Sequence, residues 1–200
     1  LVGVPRTYEK IRNLIMENLL YSAAPLKEVY QRIYQWMEGE YLQRKQGASR
    51  PRGISMPVRW MKKRAVQKIR HRMGGRLRCC FSAGAPLARD LEAFFEVIQM
   101  PLFNVYGMTE LTGAGAATCP AHHKAGTVGA PLSGCELRFG EDGEIQVRGK
   151  MVTGGYHRPG KRPERAADQE GWFATGDIGH LDEDGFLVIT GRKKELLITA

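Results

Sequence analysis

No apolar stretch in this 200-residue chain approaches the roughly 18 residues of a membrane-spanning helix, which excludes the helical integral-membrane class. Cysteine is scarce: only Cys79, Cys80, Cys119 and Cys135 occur, and no two stand in a C-x-x-C pair. The adjacent pair cannot easily bridge, so all four read as reduced thiols in a cytosolic protein rather than a secreted disulfide scaffold. Cys119 with His122 and His123 lacks the second ligand pair that zinc needs, and reads better as a polar surface loop. Internal repeats and low-complexity tracts are absent. So is any zinc-finger, helix-turn-helix or RNA-binding-sheet signature, which argues against a nucleic-acid partner. An initial methionine is missing as well, and the chain stops after the apolar run L-L-I-T-A, so both ends read as cut.

Acidic residues are few in the first part of the chain. Residues 1–78 carry 18 Lys and Arg against 5 Asp and Glu; residues 79–200 carry 12 against 16, giving a net charge of +9. Most of the excess lies in the segment 44–78. Its first reading is a solvated helix face. The competing readings are contact with an anionic membrane surface or with the phosphates of a ligand such as coenzyme A.

Periodicity suggests an α/β chain. Val4, Tyr8, Ile11 and Ile15 recur at helical spacing around Pro5, predicting an amphipathic helix that ends before Pro25. Residues 43–57 are polar, with two prolines and two glycines, and read as a loop. A second helix is expected after Pro57 with Val58, Met61, Ala65 and Ile69 inward, Arg59, Lys62, Lys63 and Arg70 outward, and Gly74-Gly75 at its end. Residues 77–82 read as a buried strand. Leu87, Leu91, Phe94, Phe95 and Ile98 then form one helical face, broken at Met100-Pro101. Residues 102–106 are a short strand whose carboxyl end carries Y-G-M-T-E, the end at which open α/β sheets bind ligands. From Gly126 the texture changes to paired strands. One hairpin turns at E-D-G between Leu137 and Val147, and a second at D-E-D-G between Ile178 and Thr190. This part is expected to be a small, strongly bent β domain with Trp172 and Phe173 in its core.

Three blocks carry chemistry. In Y-G-M-T-E (106–110), Tyr106 offers an aromatic plate for a purine, and Gly107 lets backbone approach a nucleotide. Thr109 offers a hydroxyl to a phosphate, and Glu110 a hard oxygen for Mg²⁺. The plainer alternative is a strand-to-loop turn with a surface acid. In G-W-F-A-T-G-D (171–177), Asp177 can accept two hydrogen bonds from a ribose diol, or can be a turn aspartate bonding its own backbone. In G-R-K-K-E (191–195), Arg192 presents a planar fork to a ribose or phosphate, or is an exposed turn arginine. S-A-G-A-P-L (82–87) borders a purine edge with main-chain groups or is only a turn. G-E-I-Q-V-R-G (143–149) reads as a structural strand.

Together these blocks resemble the adenylate-forming superfamily of acyl-CoA synthetases, nonribosomal adenylation domains and luciferases, in the expected order. The opening V-G-V-P-R-T-Y-E-K-I looks like the long-chain fatty-acid–CoA ligase branch. The resemblance implies a fold: a partial α/β layered subdomain (1–125), a small distorted β-barrel-like subdomain (126–190), and a hinge with the start of a C-terminal domain (191–200). It also implies a reaction. A fatty carboxylate attacks the α-phosphate of ATP, giving acyl-AMP and pyrophosphate, and the thiol of coenzyme A then displaces AMP.

Carried over residue by residue, the resemblance makes Thr109, Glu110 and Arg192 the catalytic residues, with Glu110 holding Mg²⁺. It gives nucleotide contacts to Gly84, Ala85, Pro86, Tyr106, Gly107, Thr109, Asp177 and Arg192, and makes Lys194 the hinge. The family's phosphate-cradling loop and its lysine-bearing C-terminal domain are not matched within these residues, so this stretch alone is expected to be inactive. The expected partners are a fatty acid, ATP and coenzyme A, with a cytoplasmic location, peripheral on the inner face of an anionic membrane if the basic helix rests there. Two other functions compete: an acyl-AMP ligase that loads a carrier protein, and a non-catalytic basic module binding membrane or nucleotide.

Overall fold

The structure is a computed structural model that describes residues 1–20, 35, 39, 56–157, 159–162 and 164–196. Contacts divide the chain into two compact units, Leu1–Leu102 and Phe103–Ala200.

In the first unit, strand β1 (Val2–Gly3) runs parallel to β2 (Cys80–Ala83), with Val2 opposite Phe81 and Gly3 opposite Ser82. The strand expected over 77–82 is therefore shorter and later. Helix α1 (Pro5–Leu20) opens on a proline, whose missing N–H costs nothing in the first turn. Its Tyr8 is fully buried, with Ile11 and Ile15 packed beside it, whereas Val4 is half exposed and outside the core. The expected end of this helix near Pro25 and most of the 43–57 loop lie outside the described residues. Helix α2 (Met56–Arg72) starts one residue before Pro57. It buries Ala65 and also Val66, a position the period had not marked, with Ile69 against the core. The side chains of Val58, Arg59, Met61 and Lys62 lie outside the described residues. Gly74 and Gly75, at φ +88° and +70°, then turn the chain away, and the Gly75 N–H closes on Arg70 O at 2.8 Å.

Helix α3 (Arg89–Val97) has Asp90 and Glu92 in its first turn, where acids complement the helix dipole. The predicted stripe of Leu87, Leu91, Phe94, Phe95 and Ile98 is buried throughout. Tyr8 and Phe94 each meet the Phe95 ring edge-on, with centroids 5.4 Å away. The helix stops before Met100-Pro101, because Gln99 takes a left-handed φ of 57°. An exposed ion pair, Arg12 to Asp90 at 2.7 Å, links α1 to α3 and contributes under about 1 kcal/mol.

Strand β3 (Leu102–Tyr106) begins on the last residue of the first unit, and in the second unit it pairs antiparallel with β4 (Ala116–Ala117), which pairs antiparallel with β5 (Ala130–Pro131). Buried Asn104 stitches this region: its N–H donates to Thr118 Oγ1 at 2.7 Å and its amide to Thr127 O at 3.2 Å. The two predicted hairpins form one antiparallel sheet in the order β6 (Glu136–Phe139), β7 (Glu144–Arg148), β8 (Phe173–Leu181), β9 (Leu187–Arg192). Ile145, Val147 and Leu187 are completely buried. The sheet is open, and among the described residues no barrel closes. Phe173 is core as expected, but Trp172 is not. The guanidinium groups of Arg138 and Arg148 lie over its ring, 4.4 and 4.5 Å from the centroid, so cation–π attraction adds to its partial burial. All four cysteines are free. Cys119 and His122 are joined by an antiparallel backbone bridge. Among the described residues no helix is long and apolar enough to cross a membrane.

The first unit's most vulnerable polar group is Tyr8. Its hydroxyl donates to Phe81 O at 2.7 Å, with Leu1 O at 3.1 Å, and burial pushes its pKa up to about 12. Tyr8→Phe should lower stability by about 1–2 kcal/mol in urea unfolding. The raised pKa adds stability that is complete below pH 10 and is lost as pH rises toward 12, because the unfolded chain releases the proton first. Tyr8→Phe should therefore flatten the alkaline fall in melting temperature.

Candidate functional site

The site lies in the second unit and starts from register. Asp177 in β8 stands directly opposite Arg192 in β9. Opposed residues share a sheet face, so a spacing of 15 in the chain becomes a contact, Arg192 Nε to Asp177 Oδ1 at 2.8 Å. From β3, 71 residues earlier, the Tyr106 hydroxyl donates to the other oxygen, Asp177 Oδ2, at 2.9 Å. The phenol, the acid and the guanidinium are thus brought together. The pair is lopsided: the Asp177 side chain is 7% exposed and that of Arg192 61%. The fork of Arg192 faces solvent while its Nε holds the buried carboxylate. That hydrogen bond raises the already high pKa of Arg192, and burial drives the Tyr106 phenol well above its ordinary value.

The T-G-D turn that aims Asp177 is fixed by β7. Between Glu144 and Gln146 the ladder shifts register, and such bulges re-aim side chains. Thr175 Oγ1 donates to Ile145 O at 2.8 Å and accepts from the Asp177 N–H at 3.1 Å. Glu144 Oε1 accepts the Gly176 N–H at 3.0 Å, and its Oε2 takes Lys193 Nζ at 2.8 Å. Lys193 also reaches Asp142 Oδ2 at 2.7 Å, and this hydrogen bond lowers the Asp142 pKa. Arg192 and Lys193 therefore clamp the β9 end on both sides. Lys194 follows, exposed, in the short helix α4 (Lys193–Leu196).

Y-G-M-T-E occupies a tight turn. The glycine at 107 is demanded by the chain itself, since a Cβ there would lie 1.7 Å from Gly113 O. Thr109–Leu111 form a 3-10 turn pinned by buried Leu111, and Thr112 adopts a left-handed φ of 52°. Thr109 is exposed. Glu110 is half-buried and its Oε1 accepts the Tyr156 hydroxyl at 2.9 Å. Tyr106 is 7% exposed and belongs to the core with Leu111, Ile145 and Phe173. Gly84, Ala85 and Pro86 belong to the first unit, in the turn between β2 and α3, where Gly84 has a φ of +83°.

The donor set suits a hard cation shared with a ligand. Among the described residues no group of three or more His, Cys, Asp or Glu could hold a metal by itself. Glu110 supplies one carboxylate, and Mg²⁺ is commonly held by one or two carboxylates plus substrate phosphates. Three contributors escape a reading of the motifs alone. Glu144 opens a block that looks purely structural, Lys193 is hidden beside Arg192, and Tyr156 lies in a glycine-rich link. The adjacent glycines before Tyr156 were the available signal.

Removing the acid should expose its structural role. Asp177→Ala leaves the buried Tyr106 phenol without its acceptor and should cost about 1–3 kcal/mol in urea unfolding. Arg192→Ala leaves the buried Asp177 carboxylate short of its charged donor and should cost about 1–3 kcal/mol, softened by the solvent that already reaches the Arg192 side.

The AMP-binding enzyme family matches residues 1–157. The chain is 44% identical over 134 residues to the long-chain-fatty-acid–CoA ligase FadD15 of Mycobacterium bovis, covering 67% of this chain and 22% of that one. Over its whole length it is 34% identical to the long-chain-fatty-acid–CoA ligase ACSBG2 of Rattus norvegicus, spanning 30% of that protein. Among solved structures, o-succinylbenzoate coenzyme A synthetase MenE from Bacillus subtilis, in complex with ATP and magnesium ion, aligns with a TM-score of 0.53 at 28% identity, over 72% of this chain and 35% of that one. The anthranilate CoA ligase AuaEII, in complex with anthranoyl-AMP, aligns with a TM-score of 0.52 at 28% identity, over 58% and 25%. The chain thus spans about a quarter of the curated relatives it matches. With the motif order, the α/β fold and the family match in agreement, the chain belongs to the AMP-binding enzyme family.

Proposed function

We propose that this chain is part of a long-chain fatty-acid–CoA ligase that forms acyl-AMP from ATP and then transfers the acyl group to coenzyme A. The observation that carries the reading is the convergence of Tyr106, Asp177 and Arg192, from segments 71 and 15 residues apart, on one buried carboxylate. The fatty-acid–CoA ligase names of the relatives support the acid and the acceptor. In this reading Asp177 takes the ribose hydroxyls, Tyr106 lies along the adenine, and Gly84, Ala85, Pro86 and Gly107 border the nucleotide with main chain. Thr109 and Arg192 contact phosphate or ribose, Glu110 holds Mg²⁺, and Lys194 is the pivot between half-reactions. These groups supply positioning and charge stabilisation, which is most of what attack on an α-phosphate requires. The segments 1–125, 126–190 and 191–200 then serve as α/β portion, β portion and hinge.

In the complete ligase, Asp177→Asn should raise the KM for ATP about tenfold to a hundredfold, the value of a charged hydrogen bond, and leave the KM for coenzyme A near wild type. An unchanged KM for ATP in both Asp177→Asn and Tyr106→Ala would count against the nucleotide reading. The 200-residue chain by itself should make no acyl-CoA in a thioester assay. Release of AMP only when a carrier protein replaces coenzyme A would turn the assignment toward an acyl-AMP ligase.

A further inference from the structure

We infer that Tyr156 is a positioning residue for the Glu110 carboxylate, fixing the acid so that one oxygen is left for a divalent cation. The inference rests on the metal-binding reading of Glu110 above, and it concerns a residue outside every motif block.

Three observations carry it. First, the Tyr156 hydroxyl donates to Glu110 Oε1 at 2.9 Å, and no second hydrogen bond or ion pair reaches that carboxylate among the described residues. Oε2 is left for the cation. Second, the link that carries Tyr156 is fastened to the same turn it serves. The Thr153 N–H donates to Glu110 O at 2.7 Å, and Thr112 Oγ1 donates to Met151 O. Backbone and side chain of one glutamate are thus held by one short segment. Third, Tyr156 is fixed from behind. It forms an isolated antiparallel bridge with Glu164, with N–O distances of 2.8 and 3.1 Å. Gly155 permits that approach, since a Cβ there would stand 2.2 Å from Glu164 O. A phenol 42% exposed would otherwise gain little from a surface hydrogen bond. Here both ends of the bond are set by backbone.

Orientation matters most where the protein offers a single carboxylate. Mg²⁺ demands near-octahedral geometry and dehydrates reluctantly, so a freely rotating acid binds it poorly. Groups that hold a metal's ligand in place typically change affinity or activity about 10- to 100-fold when removed.

The test is metal binding without turnover. In the complete ligase with a non-hydrolysable ATP analogue and no fatty acid, Mn²⁺ is titrated by electron paramagnetic resonance. Tyr156→Phe should raise the Mn²⁺ dissociation constant about tenfold, with the melting temperature near wild type. Glu110→Gln should raise it further, and adding Tyr156→Phe to Glu110→Gln should change nothing more. If Tyr156→Phe leaves the constant unchanged while Glu110→Gln weakens binding, the positioning role is wrong and the metal role of Glu110 stands. If Tyr156→Phe has the same effect with and without Glu110→Gln, the phenol acts elsewhere and the inference fails. If neither variant weakens Mn²⁺ binding, both readings fall.

Discussion

The second unit is organised around one desolvated carboxylate. Asp177 is 5% exposed, and a carboxylate withdrawn from water is tolerated only where donors replace its hydration. Two are provided, from different strands: the Tyr106 hydroxyl on Oδ2 and Arg192 Nε on Oδ1. Satisfying this acid therefore requires β3, β8 and β9 to be in register together. The bulge in β8 opposite Glu144 and Gln146, the Thr175 hydroxyl and the Glu144 carboxylate all hold the T-G-D segment in the posture that makes this possible. Structural and chemical demands coincide at the same three side chains, and a substitution there disturbs both.

Close backbone packing sets the remaining geometry. Gly107 and Gly129 admit main chain so near that a Cβ would fall 1.7 and 2.0 Å from a neighbouring backbone atom. The first of these contacts folds the Y-G-M-T-E turn back on Gly113 and leaves Glu110 facing the 151–156 link. The glycine that resembles a nucleotide-approach position is also one the turn cannot do without. Proposed ligand contact and local packing are carried by the same missing side chain.

Family membership and site geometry address different scales. The chain spans between a fifth and a third of the mycobacterial and rat ligases, yet its second unit joins Tyr106, Asp177 and Arg192 by hydrogen bonds. Such chemistry is divisible because it rests on scattered groups rather than one contiguous motif. The basic character of α2 is a separate feature. Lys63, Arg64 and Lys68 are exposed, with Arg64 resting 4.2 Å above the Trp60 ring, and no catalytic role proposed for the chain uses them.

Much of the fold was legible in sequence because it follows from local periodicity. The stripe Leu91, Phe94, Phe95, Ile98, the strand ending at Tyr106 and the hairpins at E-D-G and D-E-D-G need only neighbours to be recognised. The D-E-D-G turn alone would set Asp177 opposite Gly191, and it is the irregularity between Ile178 and Gly179 that moves Arg192 into that place. Other features depend on partners distant in the chain, and no local pattern encodes them. Trp172 looked apolar enough for the core, but two arginines from adjacent strands claimed its ring. Glu144 read as part of a structural strand, but the bulge in β8 brought the Gly176 N–H to its carboxylate, and the end of β9 brought Lys193. Tyr156 had no motif at all and acquired its place because Gly155 let its segment approach Glu164 while the Thr153 N–H bonded Glu110 O. Sequence alone determined which chemical groups the protein carries and which short elements present them. Tertiary structure decided which groups meet, because a hydrogen bond depends on ångström-scale approach between backbones that chain spacing does not specify.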